Sequence, residues 1–185
     1  MRFQSCAACF ALFILLLLTQ TAHAQTSVYG TVAGTNFCLD SNSNTHCKSD
    51  TLGILFGSFY NFPIQSRLTV GIDGRFSYGL GARGGTSATA AFRVGFVPHY
   101  NPLRPYFQIG GGVVSSAGGD PIQTQRITNG ALQLALGLDI RMTDSIDWRA
   151  LEIGGAAGSS SNSNPSAGTS YIDTGIVYHF PHRKS

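Results

Sequence analysis

Residues 129–142 read NGALQLALGLDIRM. From Leu132 onward every second position is large and apolar: Leu132, Leu134, Leu136, Leu138, Ile140 and Met142. The positions between, Asn129, Ala131, Gln133, Ala135, Gly137, Asp139 and Arg141, are small, polar or charged. Alternation at 180° per residue places the two sets on opposite faces of a β-strand and would scatter them around a helix. A strand this long exceeds the about five or six residues usual in globular sheets. It suits a tilted bilayer-crossing strand, which needs about 9–11.

The pattern recurs. Residues 67–78 set Leu68, Val70, Ile72, Gly74, Phe76 and Tyr78 against Arg67, Thr69, Gly71, Asp73, Arg75 and Ser77. Residues 88–97 set Ala88, Ala90, Phe92, Val94 and Phe96 against Thr89, Ala91, Arg93, Gly95 and Val97. Residues 106–115 and 171–180 alternate likewise, whereas 26–37, 51–60 and 147–157 are less regular. In the last of these Glu152 excludes lipid, so Leu151 and Ile153 face outward. By strict parity Asp147 and Arg149 then face outward too, which only a strand end tolerates. Eight strands result. Their connections alternate between Gly-, Ser-, Asn- and Thr-rich stretches (38–50, 79–87, 116–127, 158–170) and shorter Pro- or Asp-bearing turns (61–66, 98–104, 143–146). Long loops at one end and short turns at the other define an outer-membrane barrel, with both chain ends on the short-turn, periplasmic side.

Composition agrees. Only 11% of the 185 residues are charged, less than half the share of an ordinary soluble domain. Yet the mean hydropathy is only +0.08, too low for a bundle of membrane helices. A net charge of +3 without a basic cluster argues against nucleic-acid binding. Part of the apolar content lies in residues 1–24, which read as a secretory signal peptide: Arg2, the apolar run Phe10–Leu18, and Ala22-His23-Ala24 as an A-x-A cleavage site. The run is too short for a membrane-spanning helix. Cys6 and Cys9 precede it, which excludes a lipoprotein signal. The expected organisation is a leader over 1–24, a barrel over 25–180 and a basic tail over 181–185. Beyond the leader remain Cys38 and Cys47, and an oxidising compartment favours a disulfide between them across a polar loop. A zinc site with His46 is the weaker alternative, so no metal is expected.

Alternation alone fits a soluble sandwich as well as a membrane barrel. Three features favour the membrane. The apolar faces end in aromatics, as a girdle requires: Phe76 and Tyr78, Phe92 and Phe96, Tyr178 and Phe180. The other faces carry small residues rather than many Lys and Glu. Their few charges have both signs: Arg75, Arg93 and Arg141 against Asp73, Asp139, Glu152 and Asp173. An eight-stranded barrel is just wide enough to be filled by side chains, and charges buried there must be paired. The expectation is a plugged, mixed-charge lumen. On this parity Leu136→Arg, on the lipid face, should be costly and Gln133→Arg, on the lumen face, milder.

The last strand carries Asp173-x-Gly175-x-x-Tyr178-x-Phe180. The run Gly175, Tyr178, Phe180 resembles the C-terminal assembly signal of outer-membrane barrels, although five residues follow it here. With the leader and the eight strands, the chain resembles small outer-membrane β-barrel domain proteins of the OmpA/OmpX-like superfamily, nearly end to end and in the barrel alone. The resemblance implies residence in the outer membrane of a Gram-negative cell, contact with outer-membrane lipid and lipopolysaccharide, and insertion by the barrel-assembly machinery. It does not imply one activity, because the fold hosts several.

Catalytic motifs are scarce. Gly79-x-Gly81-x-x-Gly84 matches a dinucleotide fingerprint only literally, since no βαβ unit surrounds it. His179 and Asp173 share a face but stand six residues apart, about 20 Å along a strand, too far to form a dyad. His179 is instead expected to hydrogen-bond in the lumen near the periplasmic mouth. The reading is a monomeric, structural, porin-like barrel without cofactor or catalytic activity. The alternatives are an adhesion or ligand-binding barrel acting through its loops, a small pore, or a lipid-A-modifying enzyme.

Overall fold

The alternating segments form one sheet that closes on itself. The computed structural model describes residues 25–41, 44–64, 67–80, 85–99, 101–117, 126–158 and 166–181. The expected leader (1–24), most of the basic tail and parts of the longer connections lie outside the described residues. Eight strands follow in order: β1 (Gln25–Ser41), β2 (Asn44–Pro63), β3 (Leu68–Gly79), β4 (Thr86–Phe96), β5 (Leu103–Ala117), β6 (Arg126–Arg141), β7 (Ile146–Gly158) and β8 (Ser166–His179). Each pairs antiparallel with its neighbour, and β8 pairs with β1 to close the barrel. Closure leaves no sheet edge, which hydrocarbon would not tolerate. Gln25 and His179 lie at the same end as the β2–β3, β4–β5 and β6–β7 connections.

Side-chain parity follows the sequence. On β6, Leu132, Leu134 and Leu136 face outward, Leu136 at 63% exposure, while Gln133, Ala135 and Asp139 are buried inside. On β3, β4 and β8 the exposed residues include Ile72, Phe76, Phe92, Phe96, Ile172 and Tyr178. Exterior rings also stack across the ladder, as with Phe56 and Phe76 at 5.2 Å between centroids. On these strands most large apolar side chains lie outside and the charged ones inside, the reverse of a water-soluble barrel.

Two expectations are corrected. The Cys38–Cys47 disulfide is absent: among the described residues no disulfide bond joins them. The segment read as a loop in need of a brace is a continuation of the β1–β2 ladder. Cys38 and Cys47 are direct backbone partners, and pairing runs on to Ser41 and Asn44. Backbone hydrogen bonds thus hold the segment that a covalent link was expected to hold.

The second correction concerns β7. Its register against β8 shifts between Arg149 and Glu152, and against β6 between Leu138 and Asp139. A β-bulge adds a residue to one strand and re-aims the side chains on one side of it. Asp147 and Arg149 therefore point inward with Glu152, while Trp148, Leu151 and Ile153 stay outside. Strict parity had put both charges outside. The bulge is patched from the exterior: the Thr174 hydroxyl donates to the Arg149 carbonyl at 2.8 Å. Trp148 Nε1 donates to Thr174 Oγ1 at 3.1 Å.

Inside, three tyrosines lie across glycines that face them in the ladder: Tyr29 opposite Gly57, Tyr106 opposite Gly137, and Tyr171 opposite Gly154. A Cβ on any of these glycines would collide with the tyrosine ring or hydroxyl. Toward the loop end Phe37, Val114 and Ala156 form a buried apolar cluster, and the Phe37 ring occupies the space a Cβ on Gly85 would take.

Candidate functional site: the barrel interior

The inward faces bring charges from β3, β4, β6 and β7 into one network. Arg75 on β3 is its centre. Its Nε donates to Asp73 Oδ1 at 3.3 Å, and its Nη1 donates to the Tyr171 hydroxyl at 2.6 Å and to Glu152. Its Nη2 donates to Gln108. Asp73 accepts from the Tyr29 hydroxyl at 2.8 Å and from Gln108 Nε2 at 2.9 Å. Glu152 also accepts from the Tyr106 hydroxyl and lies 3.2 Å from Arg149 Nη1. These groups are almost wholly shielded from solvent. Low surrounding polarity strengthens each attraction and makes a lost partner costly.

Nearer the short-turn end, Asp139 accepts from two guanidiniums: Arg93 Nη2 at 2.7 Å and Arg149 Nε at 3.0 Å. Arg93 packs over the Tyr106 ring at 3.6 Å from its centroid and over the Phe59 ring at 4.1 Å. Arg149 lies over the Tyr29 ring at 4.2 Å. Rings thus fix the orientation of cations that the carboxylates neutralise. Asp173 faces Glu152 in the β7–β8 ladder. It is buried beside the Thr31 hydroxyl and joins no ion pair among the described residues.

At the mouth a polar chain links β1, β8, β7 and β5. Ser27 Oγ and His179 Nδ1 are 2.7 Å apart. His179 Nε2 lies 2.8 Å from Asp147 Oδ2, which accepts from Arg104 Nη1 at 2.7 Å. Ser, His and Asp are the residue types of a nucleophilic triad. Here Ser27 has no solvent exposure and does not line the adjacent cavity. The chain ties together the strands that close the barrel. The cavity itself, about 240 Å³, opens at the short-turn end and is lined by Arg67, Arg93, Arg104, Tyr106, Phe59 and His179 among others.

Of the residues expected in the lumen, Asp73, Arg75, Arg93, Asp139, Glu152 and Asp173 are buried there. Arg141 lies at the 142–145 turn, half exposed, paired with Asp144. Arg104, Asp147 and Arg149 join the network without having been assigned to it. The bulge concealed two of them; Arg104 precedes Pro105 at a strand start, where parity had not been extended. The tyrosine hydroxyls, Gln108 and Gln133 were read as small or polar lining rather than as partners. Of the assembly-signal residues, Tyr178 and Phe180 point outward with their rings edge to face at 5.3 Å. Gly175 faces inward at the closing seam, where the Gly30 carbonyl and Thr31 leave no room for a Cβ. Among the described residues no group of His, Cys, Asp or Glu could hold a metal ion.

No protein-family model matches the chain, and no curated protein matches its sequence. Solved structures do match. Neisserial surface protein A (NspA) aligns with a TM-score of 0.56 at 13% identity, over 85% of this chain and 99% of that one. Ail, the attachment invasion locus protein of Yersinia pestis, aligns with a TM-score of 0.51 at 13% identity, over 85% and 97%. The N-terminal β-barrel domain of Pseudomonas aeruginosa OprF aligns with a TM-score of 0.51 at 12% identity, over 85% and 100%. The chain has the fold of small outer-membrane β-barrels, an eight-stranded closed antiparallel barrel, and that likeness with the apolar exterior supports a place in the cell outer membrane.

Proposed function

We propose that the chain is a structural outer-membrane barrel whose lumen is plugged and which catalyses no reaction. The supporting observation is the Arg75–Glu152–Arg149 network, which joins opposite walls of the barrel through fully buried side chains. The apolar cluster of Phe37, Val114 and Ala156 covers it toward the loops. An ion crossing the barrel would have to displace both. In this reading residues 1–24 are a cleaved leader, the barrel-assembly machinery inserts the rest, and the monomer contacts lipopolysaccharide through its exterior. Planar-bilayer recording on the refolded barrel tests the plug, with no discrete conductance steps as the expected result. Lipid-A mass analysis after expression tests for lipid modification and should show none. Steps or a modified lipid would overturn the corresponding claim.

One observation favours a second reading, adhesion or ligand binding at the loop end. The β1–β2 ladder continues to Ser41 and Asn44, so the first connection is a paired two-stranded ribbon. Ail, whose fold this chain shares, is an attachment invasion protein. Loss of cell-surface binding on deleting residues 38–47 would support that role.

A further inference from the structure

We propose that the short-turn mouth of the barrel binds a small oxyanion, a carboxylate or a phosphate, between Arg67, Arg93 and Arg104. All three line the cavity of about 240 Å³, against the two carboxylates Asp139 and Asp147. Arg93 is committed to Asp139 and, at 4.0 Å, to Asp73, and Arg104 to Asp147. Arg67 joins no ion pair among the described residues, so one cation at the mouth lacks a counter-charge. A second observation concerns an arginine that lines the same cavity. The Arg93 side chain is only 5% exposed, and its Nη1 makes no hydrogen bond, its counter-charge being Asp73 Oδ2 at 4.0 Å. Its Nη2 is held by Asp139 and its plane by the Phe59 and Tyr106 rings, so Nη1 is a preset donor. A guanidinium with one edge occupied and one nitrogen still lacking a hydrogen bond suits an oxyanion oxygen.

The lining also selects for size and shape. Phe59, Pro105 and Tyr106 supply apolar wall, and the volume falls below that of most drug-sized sites, so the ligand is small. The buried Arg75 network and the Phe37 cluster lie on the loop side of this cavity. The occupant therefore enters from the short-turn side. In the orientation proposed above this is the periplasm, and the oxyanion is either a free solute or a lipid headgroup at the rim. Only that last step rests on the proposed placement.

The test is an amide-resolved NMR titration of the full barrel, refolded in zwitterionic detergent, with inorganic phosphate as probe. Saturable shifts at Arg67, Arg93, Arg104 and His179 are expected. Arg67→Gln and Arg104→Gln should each weaken binding about tenfold, the loss of one charge-assisted hydrogen bond. Arg141→Gln removes the same charge at the same end but outside the cavity, and should leave binding unchanged. Both substituted arginines sit at the rim, and heat-modifiable gel mobility confirms folding. Phosphatidylcholine nanodiscs with and without phosphatidylglycerol distinguish the sources. Shifts induced by the anionic lipid alone assign the headgroup; shifts needing added phosphate assign the free solute. No saturable shift, or equal weakening by Arg141→Gln, overturns the proposal, and neither result bears on the absence of conductance.

Discussion

Glu152→Ala is the substitution that interrogates the lumen most directly. The carboxylate accepts from Arg75 and the Tyr106 hydroxyl and lies 3.2 Å from Arg149, and none of its side-chain surface is exposed. Removing it leaves Arg75 with Asp73 alone, and Arg149 with an Asp139 that it shares with Arg93, where water does not reach. Breaking a buried pair in this way costs about 3–5 kcal/mol, chiefly the penalty of the stranded partner. Glu152→Gln keeps the shape and one acceptor while losing the charge, so about 2 kcal/mol is expected. The combination Arg75→Met with Glu152→Leu should recover most of the alanine loss, because a neutral pair strands fewer charges. Urea unfolding in phospholipid vesicles measures all three. Trp148, the chain's single tryptophan, faces outward and reports the transition without touching the network. A loss below about 1 kcal/mol for Glu152→Ala, the worth of a solvated pair, would refute the argument, since water would then be screening the arginines.

Further outcomes are expected elsewhere in the barrel. Leu136→Arg puts a cation at midstrand on the exterior and should cost about 2–4 kcal/mol in the same assay. Thr174→Val removes the donor to the bulged Arg149 carbonyl and the acceptor of Trp148. It should cost about 1–3 kcal/mol for each group left unpaired, whereas Thr174→Ser should be close to neutral. Gly137→Ala forces the Tyr106 ring off its glycine and away from Glu152. It should cost about 1–3 kcal/mol by overpacking, and combining it with Tyr106→Phe should not add the two penalties.

Much of this architecture is legible from alternation. On β3, β4, β6 and β8 the inside and outside sets are those that period two assigns, because most exterior residues are large and apolar and most interior ones are small, polar or charged, with Tyr171 and Val177 on β8 as exceptions. β1 and β2 were blurred for a physical reason. Their inner faces carry Tyr29, Phe37, Leu55 and Phe59, as apolar as anything outside. β7 misled because a bulge changes parity without leaving a composition signal, and Arg149, the most buried arginine, was placed on the wrong face. Gln133→Arg shows the same gap between pattern and packing. Parity makes it look mild, yet Gln133 is 1% exposed and lies beside Tyr171, itself bonded to Arg75. An added guanidinium there would meet Arg75 at close quarters. That charges of both signs would meet inside was readable; which oxygen meets which nitrogen depends on cross-barrel distances that a linear pattern does not encode.

The tyrosine–glycine pairs bear on how the chain finds its alignment. A slip of two residues between strands keeps every side chain on its proper face, so the exterior barely resists it: on β6, one leucine replaces another. The interior does resist. Shifting β6 by two brings Ala135 or Asp139 under Tyr106. The same shift brings Ala156 or Glu152 under Tyr171, and Leu55 or Phe59 under Tyr29. Each wrong alignment wedges a side chain where only a hydrogen fits. Spread over three of the eight seams, these keys give a nearly repetitive sequence a single way to zip. Mutants that fill the glycines should therefore yield misaligned barrels as well as weaker ones.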